Sequence, residues 1–97
     1  MYLTFTWDAH KAESNLKKHQ VSFELATGIF TDPFMLTTQD RIENGEYRWQ
    51  SIGLIGDCLI LLVAHTVEES DGSEEIRIIS ARRADSKERK RYEESIR

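Results

Sequence analysis

The feature that most restricts the fold is an apolar segment, residues 58–67, that lies between two short turns. A run of this composition is typical of a central strand. Residues 55–57 form the preceding connection, and the following polar turn, residues 68–75, has Asp71-Gly72 at its tip. Because links this short join neighbouring antiparallel strands, the segment predicts the middle of a largely antiparallel sheet.

Two helices are predicted before this sheet. Alternating apolar residues near positions 3–7 predict a first strand, and Asp8 is suited to be the N-cap of a helix over residues 9–19. Ser22 predicts the start of a second helix. Asp32 ends that helix because a residue before proline avoids helical geometry. The first third of the chain therefore predicts a strand followed by two helices.

The remaining patterns predict strands and one last helix. Residues 34–38, 47–54 and 76–81 predict strands, and residues 39–46 predict a polar loop with a turn at Asn44-Gly45. Asp85 and Glu88 predict a capping box that begins a final helix. The order β-α-α-β-β-β-β-α, in one domain over residues 1–97, predicts an α+β fold with a single mostly antiparallel sheet. Two N-terminal helices would cover one face, and the site would lie on the other.

Positive charge is concentrated at the C-terminal end of an acidic chain. Residues 76–97 hold eight Lys or Arg and four Asp or Glu, whereas residues 1–75 hold five and thirteen. The basic stretch begins at Arg77, Arg82 and Arg83 on the last predicted strand and continues along the last helix. This asymmetry indicates a local site for a polyanion or an acidic partner. The net charge of −4 disfavours nucleic-acid binding over the whole surface.

Cysteine and hydropathy patterns bear on the compartment and on cofactors. The single cysteine, Cys58, permits no disulfide within the chain and predicts a buried thiol in a reducing compartment. The N-terminus lacks signal-peptide features, and the longest apolar run is too short to span a bilayer. The sequence thus predicts a cytoplasmic protein without membrane contact. Three dispersed histidines give no zinc-ligand spacing, and no cofactor is predicted.

Two groups of motifs, one at each end of the chain, resemble a single family. The first group is Phe5-Thr6-Trp7-Asp8, Lys11, Asn15, Lys18-His19, Val21-Ser22-Phe23-Glu24 and Ala26. The second group is Ile52-Gly53, His65-Thr66, residues 77–84, Glu88-Arg89 and Tyr92-Glu93. Together they resemble the BrnT toxins of bacterial type II toxin–antitoxin systems over nearly the whole chain. Gln20 stands where the family usually has glycine, and Val67-Glu68 where it often has Glu-Arg.

The resemblance implies a RelE-like α+β fold and a ribonuclease activity that inhibits translation. It also implies a BrnA-type antitoxin that carries a ribbon-helix-helix DNA-binding part. The toxin would then contact DNA only through the antitoxin, in a higher-order complex that represses its own operon.

Metal-independent RNA cleavage needs few groups. A base takes the proton of the 2′-hydroxyl, a cation stabilises the pentacovalent phosphate, and the leaving 5′-oxygen is protonated. Arginine suits the second task because its planar fork matches phosphate oxygens, and histidine suits proton transfer near neutral pH. The catalytic candidates are Arg82, Arg83, His65 and Arg77. Arg82 and Arg83, being adjacent, are predicted to point to opposite faces of the sheet.

The predicted RNA-binding residues lie on helices and on one strand. They are Lys11, Lys18, His19, Arg48, Lys87 and Arg89. Trp7, Trp49 and Tyr47 are candidates for stacking on unpaired bases, with packing in the core or on the sheet face favoured for Trp7. Arg48 and Arg77 are candidates for the space of the arginine that Glu68 replaces.

Each candidate also has a structural alternative, and so does the function. The arginines could form surface ion pairs with Asp85 or Glu88, and His65 could be held by backbone hydrogen bonds. A different class of function is a non-catalytic binding module whose basic strand–helix end docks an acidic partner or acts in operon co-repression. RNA cleavage by the purified protein in EDTA would discriminate between the two classes.

Overall fold

The computed structural model describes residues 2–96, which form one five-stranded sheet and three α-helices. The strands are β1 (Tyr2–Thr6), β2 (Leu36–Glu43), β3 (Glu46–Ile55), β4 (Leu59–Ser70) and β5 (Ser73–Arg83). The helices are α1 (Ala9–His19), α2 (Phe23–Ala26) and α3 (Ser86–Ser95), and a 3₁₀ turn, Thr27–Thr31, continues α2. The predicted α+β class and the order β-α-α-β-β-β-β-α are confirmed.

The sheet has the spatial order β1-β5-β4-β3-β2, so the apolar strand β4 lies at its centre. Every neighbouring pair is antiparallel except β1 and β5, which run parallel. Pairing of β1 stops where Thr6 meets Arg77. The remainder of β5 therefore has no strand on its outer side.

Helices cover the two faces of the sheet unequally. The face covered by α1, α2 and the 3₁₀ turn is called the helix face. Its fully buried apolar side chains are Phe23, Ala26, Ile29, Leu61, Val63, Ile78 and Ala81. The opposite face is called the open face, and α3 covers only one end of it by packing Tyr92 against Ile52, Ile60 and Leu62. The rest of the open face carries polar and charged side chains.

Close approach of the 3₁₀ turn to β3 requires a glycine in the strand. A Cβ atom built on Gly53 would lie 2.6 Å from the Cβ of Ile29, a distance that real side chains do not tolerate. Ile29 is fully buried and belongs to the core of the helix face. Gly53 therefore lets the backbone of the turn rest directly on the sheet.

A buried asparagine takes the place of the missing strand beside β5. Asn15 is 7% exposed, and its Nδ2 donates to the carbonyl oxygens of Ala81 at 2.8 Å and Val21 at 3.0 Å. The backbone amide of Ala81 donates to Oδ1 of Asn15 at 3.1 Å. One carboxamide thus satisfies both outward backbone groups of Ala81, as a neighbouring strand would.

A β-bulge in β5 changes which side chains share a face. Ser80 pairs with Ala64 and Ile78 pairs with His65, so Ile79 is an extra residue without a partner. The bulge places both Ile78 and Ala81 in the core of the helix face. It also places Arg77 and Arg82, five residues apart, together on the open face.

Several predicted boundaries and environments are wrong. Residues 39–43 continue β2 instead of forming a loop, and only Asn44-Gly45 turns, with φ angles of 52° and 78°. Backbone groups form the hydrogen bonds across the hairpin, so polar side chains at exposed positions do not prevent the two strands from pairing. The same reason shortens the predicted turn at 68–75 to Asp71-Gly72. Cys58 is exposed in the turn before β4 instead of buried.

Asp32 joins the end of the 3₁₀ turn to β3 and α3. Its carboxylate accepts hydrogen bonds from the amides of Phe34 and Leu54, both at 2.9 Å, and from the hydroxyl of Tyr92. Burial opposes the charge on Asp32, but the hydrogen bonds outweigh it and hold the pKa of this carboxyl below its usual value of 3.8. Burial, with the hydrogen bond to Asp32, raises the pKa of Tyr92 to about 12.

We expect Asp32→Asn to lower stability by roughly 1–3 kcal/mol at pH 7, because the hydrogen-bonded carboxylate is lost. The folded pKa of Asp32 lies below the unfolded one, so its charge stabilises the fold fully above the unfolded pKa. That contribution is lost as the pH falls from 3.8 through the folded pKa. Urea denaturation should therefore show a gap between variant and parent at pH 7 that shrinks below about pH 4. A constant gap would contradict this, and Asp40→Asn on β2 is the matched control.

Candidate functional site

A basic groove lies between α1 and the free edge of β5, where the bulge occurs. The groove has a volume of about 340 Å³. We call it the α1–β5 groove, and its lining residues are His10, Lys11, Ser14, Asn15, Lys18, His19, Ile79 and Ser80. The position of α1 beside β5 follows from the hydrogen bonds of Asn15 to Ala81.

The ends of α1 are fixed by local hydrogen bonds. The carboxylate of Asp8 accepts from the amides of His10 at 2.8 Å and Lys11 at 3.1 Å, as predicted for an N-cap. The hydrogen bond from the Lys11 amide lowers the pKa of Asp8. Gln20 ends the helix in left-handed geometry, at φ 58°, so a glutamine adopts the conformation that glycine favours. The basic residues of the last turn, among them Lys18 and His19, suit the negative end of the helix dipole.

The groove is positively charged because no carboxylate lines it. Lys11 and Lys18 are seven residues apart, so both lie on one side of α1, about 10 Å apart along its axis. Within residues 2–96 neither lysine takes part in an ion pair, whereas Lys17 on another side pairs with Glu13 at 3.5 Å. The groove therefore presents two ammonium groups without an ion-pair partner beside two histidines.

The arginines of the open face are engaged by glutamates. Arg77 donates two hydrogen bonds to Glu46, at 2.7 and 3.2 Å, across the central strand. Hydrogen bonding with Arg77 lowers the pKa of Glu46, and the same bonds raise the pKa of Arg77. Arg48 pairs with Glu43 at 3.0 Å. Arg48 links the neighbouring strands β3 and β2, Arg77 links β5 to β3 across β4, and the charges of both arginines are locally balanced.

Arg82 fastens α3 to the sheet. Its guanidinium donates to both carboxylate oxygens of Glu88, at 2.8 and 2.9 Å, which raises the pKa of Arg82 and lowers that of Glu88. Glu88 also accepts from the amide of Asp85 at 2.9 Å and completes the predicted capping box. The predicted structural alternative, an ion pair between Arg82 and Glu88, is thus present.

Arg83 differs from the other arginines of β5. It pairs with Leu61 and so points to the opposite face from Arg82, as the strand alternation predicts. Arg83 is exposed, and within residues 2–96 it forms no ion pair. It lines a small cavity with Arg89 of α3 and with Cys58. Lys87, one turn earlier on α3 than Arg91, is also exposed.

His65 lies in the core of the helix face and not at the surface. It is 2% exposed, its Nε2 is 2.7 Å from Oγ of Ser51, and its Nδ1 is 3.3 Å from the carbonyl oxygen of Thr66. The ring also packs edge-on against Phe30 at 5.1 Å. Burial lowers the pKa of His65, which the hydrogen bond to Thr66 only partly offsets. This position matches the predicted structural alternative for His65.

The structure brings together three of the predicted site residues and separates the rest. Lys11, Lys18 and His19 line the α1–β5 groove, whereas Arg48, Arg77 and Arg82 lie on the open face and Lys87 and Arg89 on α3. Five lining residues were not predicted as site residues, namely His10, Ser14, Asn15, Ile79 and Ser80. The spacing of Ser14 from Lys11 and Lys18, three and four residues, was a signal for its position on the same side of α1.

A second cleft lies at the far end of the helix face, beyond the cover of the helices. Its lining residues are Thr37, Tyr47, Trp49, Val67, Glu69 and Glu74. Tyr47 and Trp49, which were candidates for base stacking, therefore lie beside carboxylates and not beside the lysines of the groove. Trp7 instead packs edge-on against Phe23 in the core, with ring centres 5.9 Å apart.

The described residues form neither a metal-ligand cluster nor a membrane-spanning helix. Among residues 2–96, no three or more His, Cys, Asp or Glu side chains are grouped so that they could hold a metal ion. Over the same residues, no helix is long and apolar enough to cross a membrane.

Comparisons with known proteins agree with one another. Residues 7–88 match a family model described as the ribonuclease toxin, BrnT, of type II toxin–antitoxin systems. A crystal structure of the Brucella abortus ribonuclease toxin BrnT is similar in fold, with a TM-score of 0.57. The two sequences are 22% identical over 89% of this chain and 100% of that one. No curated protein matches the sequence.

Proposed function

The chain belongs to the BrnT family of ribonuclease toxins of type II toxin–antitoxin systems, and we propose that its α1–β5 groove binds and cuts single-stranded RNA. The observation that carries this proposal is the convergence of Lys11, Lys18, His10 and His19 in one groove without a carboxylate. A groove of uncompensated lysines can follow a phosphate backbone without reading its sequence.

Cleavage in the groove requires balanced proton transfers. We assign His19 as the group that takes the proton from the 2′-hydroxyl, whose oxygen then forms a bond to the adjacent phosphorus. The bond from phosphorus to the 5′-oxygen breaks, and that oxygen takes a proton from the histidine or from water. The products are a 2′,3′-cyclic phosphate and a free 5′-hydroxyl. General acid–base catalysis of this kind contributes about 10²–10⁴-fold to a rate.

Cationic side chains would stabilise the pentacovalent phosphate. Lys18 directly precedes His19 and lines the same groove. Asn15 of α1 is hydrogen-bonded to Ala81, and Arg83 is two residues beyond Ala81 on β5. Arg83 points to the same face as Ala81 and lines a separate small cavity, and we propose that its long side chain reaches the phosphate from the end of β5. Because these side chains supply the charge, the proposed step needs no metal ion.

We assign structural roles to the other predicted catalytic residues. The forks of Arg77 and Arg82 are already occupied by Glu46 and Glu88, so binding a phosphate would first cost those hydrogen bonds. His65 has no access to a phosphate because it is buried against Ser51 and Phe30. Of the arginines at the end of β5, Arg83 is the one that we propose meets the substrate.

The toxin–antitoxin setting implies a partner that silences the activity. We propose a BrnA-like antitoxin with a ribbon-helix-helix DNA-binding part, which contacts DNA while the toxin does not. Membership of a type II system supports an antitoxin as such. The acidic balance of residues 1–75 supports the absence of direct DNA binding.

RNA cleavage by the purified protein in EDTA tests the proposal. We expect cleavage without added metal, and we expect Lys11→Gln with Lys18→Gln to weaken RNA binding about tenfold. The double variant should also flatten the dependence of log Kd on log salt by about 1.4, since each phosphate contact on a single strand contributes about 0.7. The matched control is Lys17→Gln with Lys90→Gln, which removes the same charge outside the groove.

Three results would count against parts of this proposal. Equal losses in the two double variants would show that net charge, and not the groove, governs binding. RNA that is retained but never cut would favour the non-catalytic binding module. Cleavage that depends on added metal would exclude the metal-independent step.

A further inference from the structure

The second cleft combines exposed aromatic surface with negative charge. Tyr47 is 55% exposed, and Trp49 and Val67 form the apolar part of the lining beside it. Glu69 and Glu74 line the same cleft. Neither helix of the helix face reaches the cleft, so this end of the sheet is left without a covering element among residues 2–96. Exposed aromatic rings next to polar groups are typical of a surface that meets a partner.

The carboxylates of the cleft belong to a part of the β4–β5 hairpin in which negatively charged side chains face one another. Glu69 is directly opposite Glu74 in the register, and Glu68 is directly opposite Glu75. Like charges in directly opposite positions destabilise a sheet. Arg77 lies near Glu68 and Glu75 on the open face and offsets that pair. On the helix face, no ion pair within residues 2–96 involves Glu69 or Glu74.

The charge of the cleft decides what kind of molecule fits it. Residues 68–75 contain five Asp or Glu and no Lys or Arg, so an RNA phosphate would be repelled. A cation would instead relieve the repulsion between Glu69 and Glu74. Among biological cations, the guanidinium of arginine also stacks on aromatic faces and forms a fork that matches a carboxylate. The aromatic lining therefore favours arginine over lysine.

We propose that this cleft binds an arginine side chain from an extended, basic segment of the antitoxin. The guanidinium stacks on Trp49 or Tyr47 and donates to Glu69 and Glu74, and the apolar neighbours of the arginine contact Val67. The inference rests on the proposed function only in taking the antitoxin as the protein that carries this segment. The cleft and the α1–β5 groove have no lining residue in common, so partner docking and RNA binding use separate surfaces.

Titration with a short peptide tests the cleft without reference to RNA cleavage. The probe is acetyl-Val-Arg-Val-Arg-Val-amide, and the reference peptide carries neutral citrulline in place of arginine. Nuclear magnetic resonance of the two tryptophan indole N–H groups reports the binding site, since Trp49 lines the cleft and Trp7 packs in the core. We expect the arginine peptide to shift the Trp49 signal saturably and the Trp7 signal little, with at least tenfold weaker binding of the citrulline peptide.

Charge-neutral variants separate a specific cleft from general attraction. Glu69→Gln with Glu74→Gln should weaken binding of the arginine peptide about tenfold. Glu93→Gln with Glu94→Gln, the same charge change on α3, should leave it within twofold. Equal losses in both double variants, no shift of Trp49, or a shift of Trp49 by a single-stranded RNA but not by the peptide would each overturn the proposal. This experiment does not measure RNA cleavage. A protein that binds the peptide but does not cut RNA would therefore support this inference and refute the proposed nuclease activity.

Discussion

Replacing His19 by glutamine is expected to lower the rate of RNA cleavage by about 10²–10⁴-fold, because glutamine cannot take up the proton of the 2′-hydroxyl. Glutamine keeps the polarity and approximate length of the side chain. Since we propose that the lysines of the α1–β5 groove supply the RNA affinity, that affinity should change less than threefold. The measurement is the single-turnover cleavage of a labelled RNA in EDTA, with the affinity determined separately.

The matched control for His19 is His10→Gln, in the same groove and on the same helix. The two histidines are nine residues apart, which is about 13 Å along the axis, so they cannot act on the same phosphate. We expect His10→Gln to retain cleavage within tenfold of the parent. If His10→Gln is the inactive variant and His19→Gln is not, the reacting phosphate lies at the other end of the groove. If both variants cleave normally, neither histidine transfers the proton.

We expect Asn15→Leu to lower the free energy of unfolding more than the loss of any single hydrogen bond on the surface. The change leaves the amide and carbonyl of Ala81 and the carbonyl of Val21 buried without partners. Each such group costs about 1–3 kcal/mol, so the free energy of unfolding falls by at least about 3 kcal/mol. For a chain of this size that corresponds to a decrease of roughly 12–24 °C in Tm.

Urea denaturation of Asn15→Leu and Ser14→Ala checks this expectation. Ser14 is the preceding residue of α1 and is exposed, so its substitution should alter the free energy of unfolding by less than about 0.5 kcal/mol. A loss below 1 kcal/mol for Asn15→Leu would mean that water or a backbone shift replaces the carboxamide. In that case the position of α1 beside β5 would not depend on Asn15.

Local patterns predicted the elements because they act over a few residues. Asp8, Ser22 and Asp85 each cap the helix that follows, and Asn44-Gly45 and Asp71-Gly72 each turn a hairpin. The sequence did not reveal that residues 39–43 would continue the edge strand, with Gln39, Ile42 and Glu43 paired to β3. Pairing in a hairpin depends on hydrogen bonds between the backbone groups of the two strands. The polarity of the side chains does not indicate whether those bonds form.

The candidate site was harder to predict because it depends on pairing between distant residues. The bulge at Ile79 has no local signal, yet it puts Arg77 and Arg82 on one face. Glu46, which pairs with Arg77, is 31 residues away along the chain, whereas Glu88, only 6 residues from Arg82, was predicted as a partner. Helical spacing did predict that Lys11 and Lys18 share a side of α1, since that relation needs only the helix.

The side-chain carboxamide of Asn15 also affects whether a second protein chain can pair with β5. An unpaired strand edge is a template on which a second molecule can add a strand, and such edges promote aggregation. Beyond Arg77, β5 would expose such an edge, and the carboxamide of Asn15 occupies both outward groups of Ala81. The side chain of Asn15 thus blocks strand addition in the middle of an edge of β5 that is otherwise unpaired. We therefore expect it to oppose self-association along this wall of the α1–β5 groove.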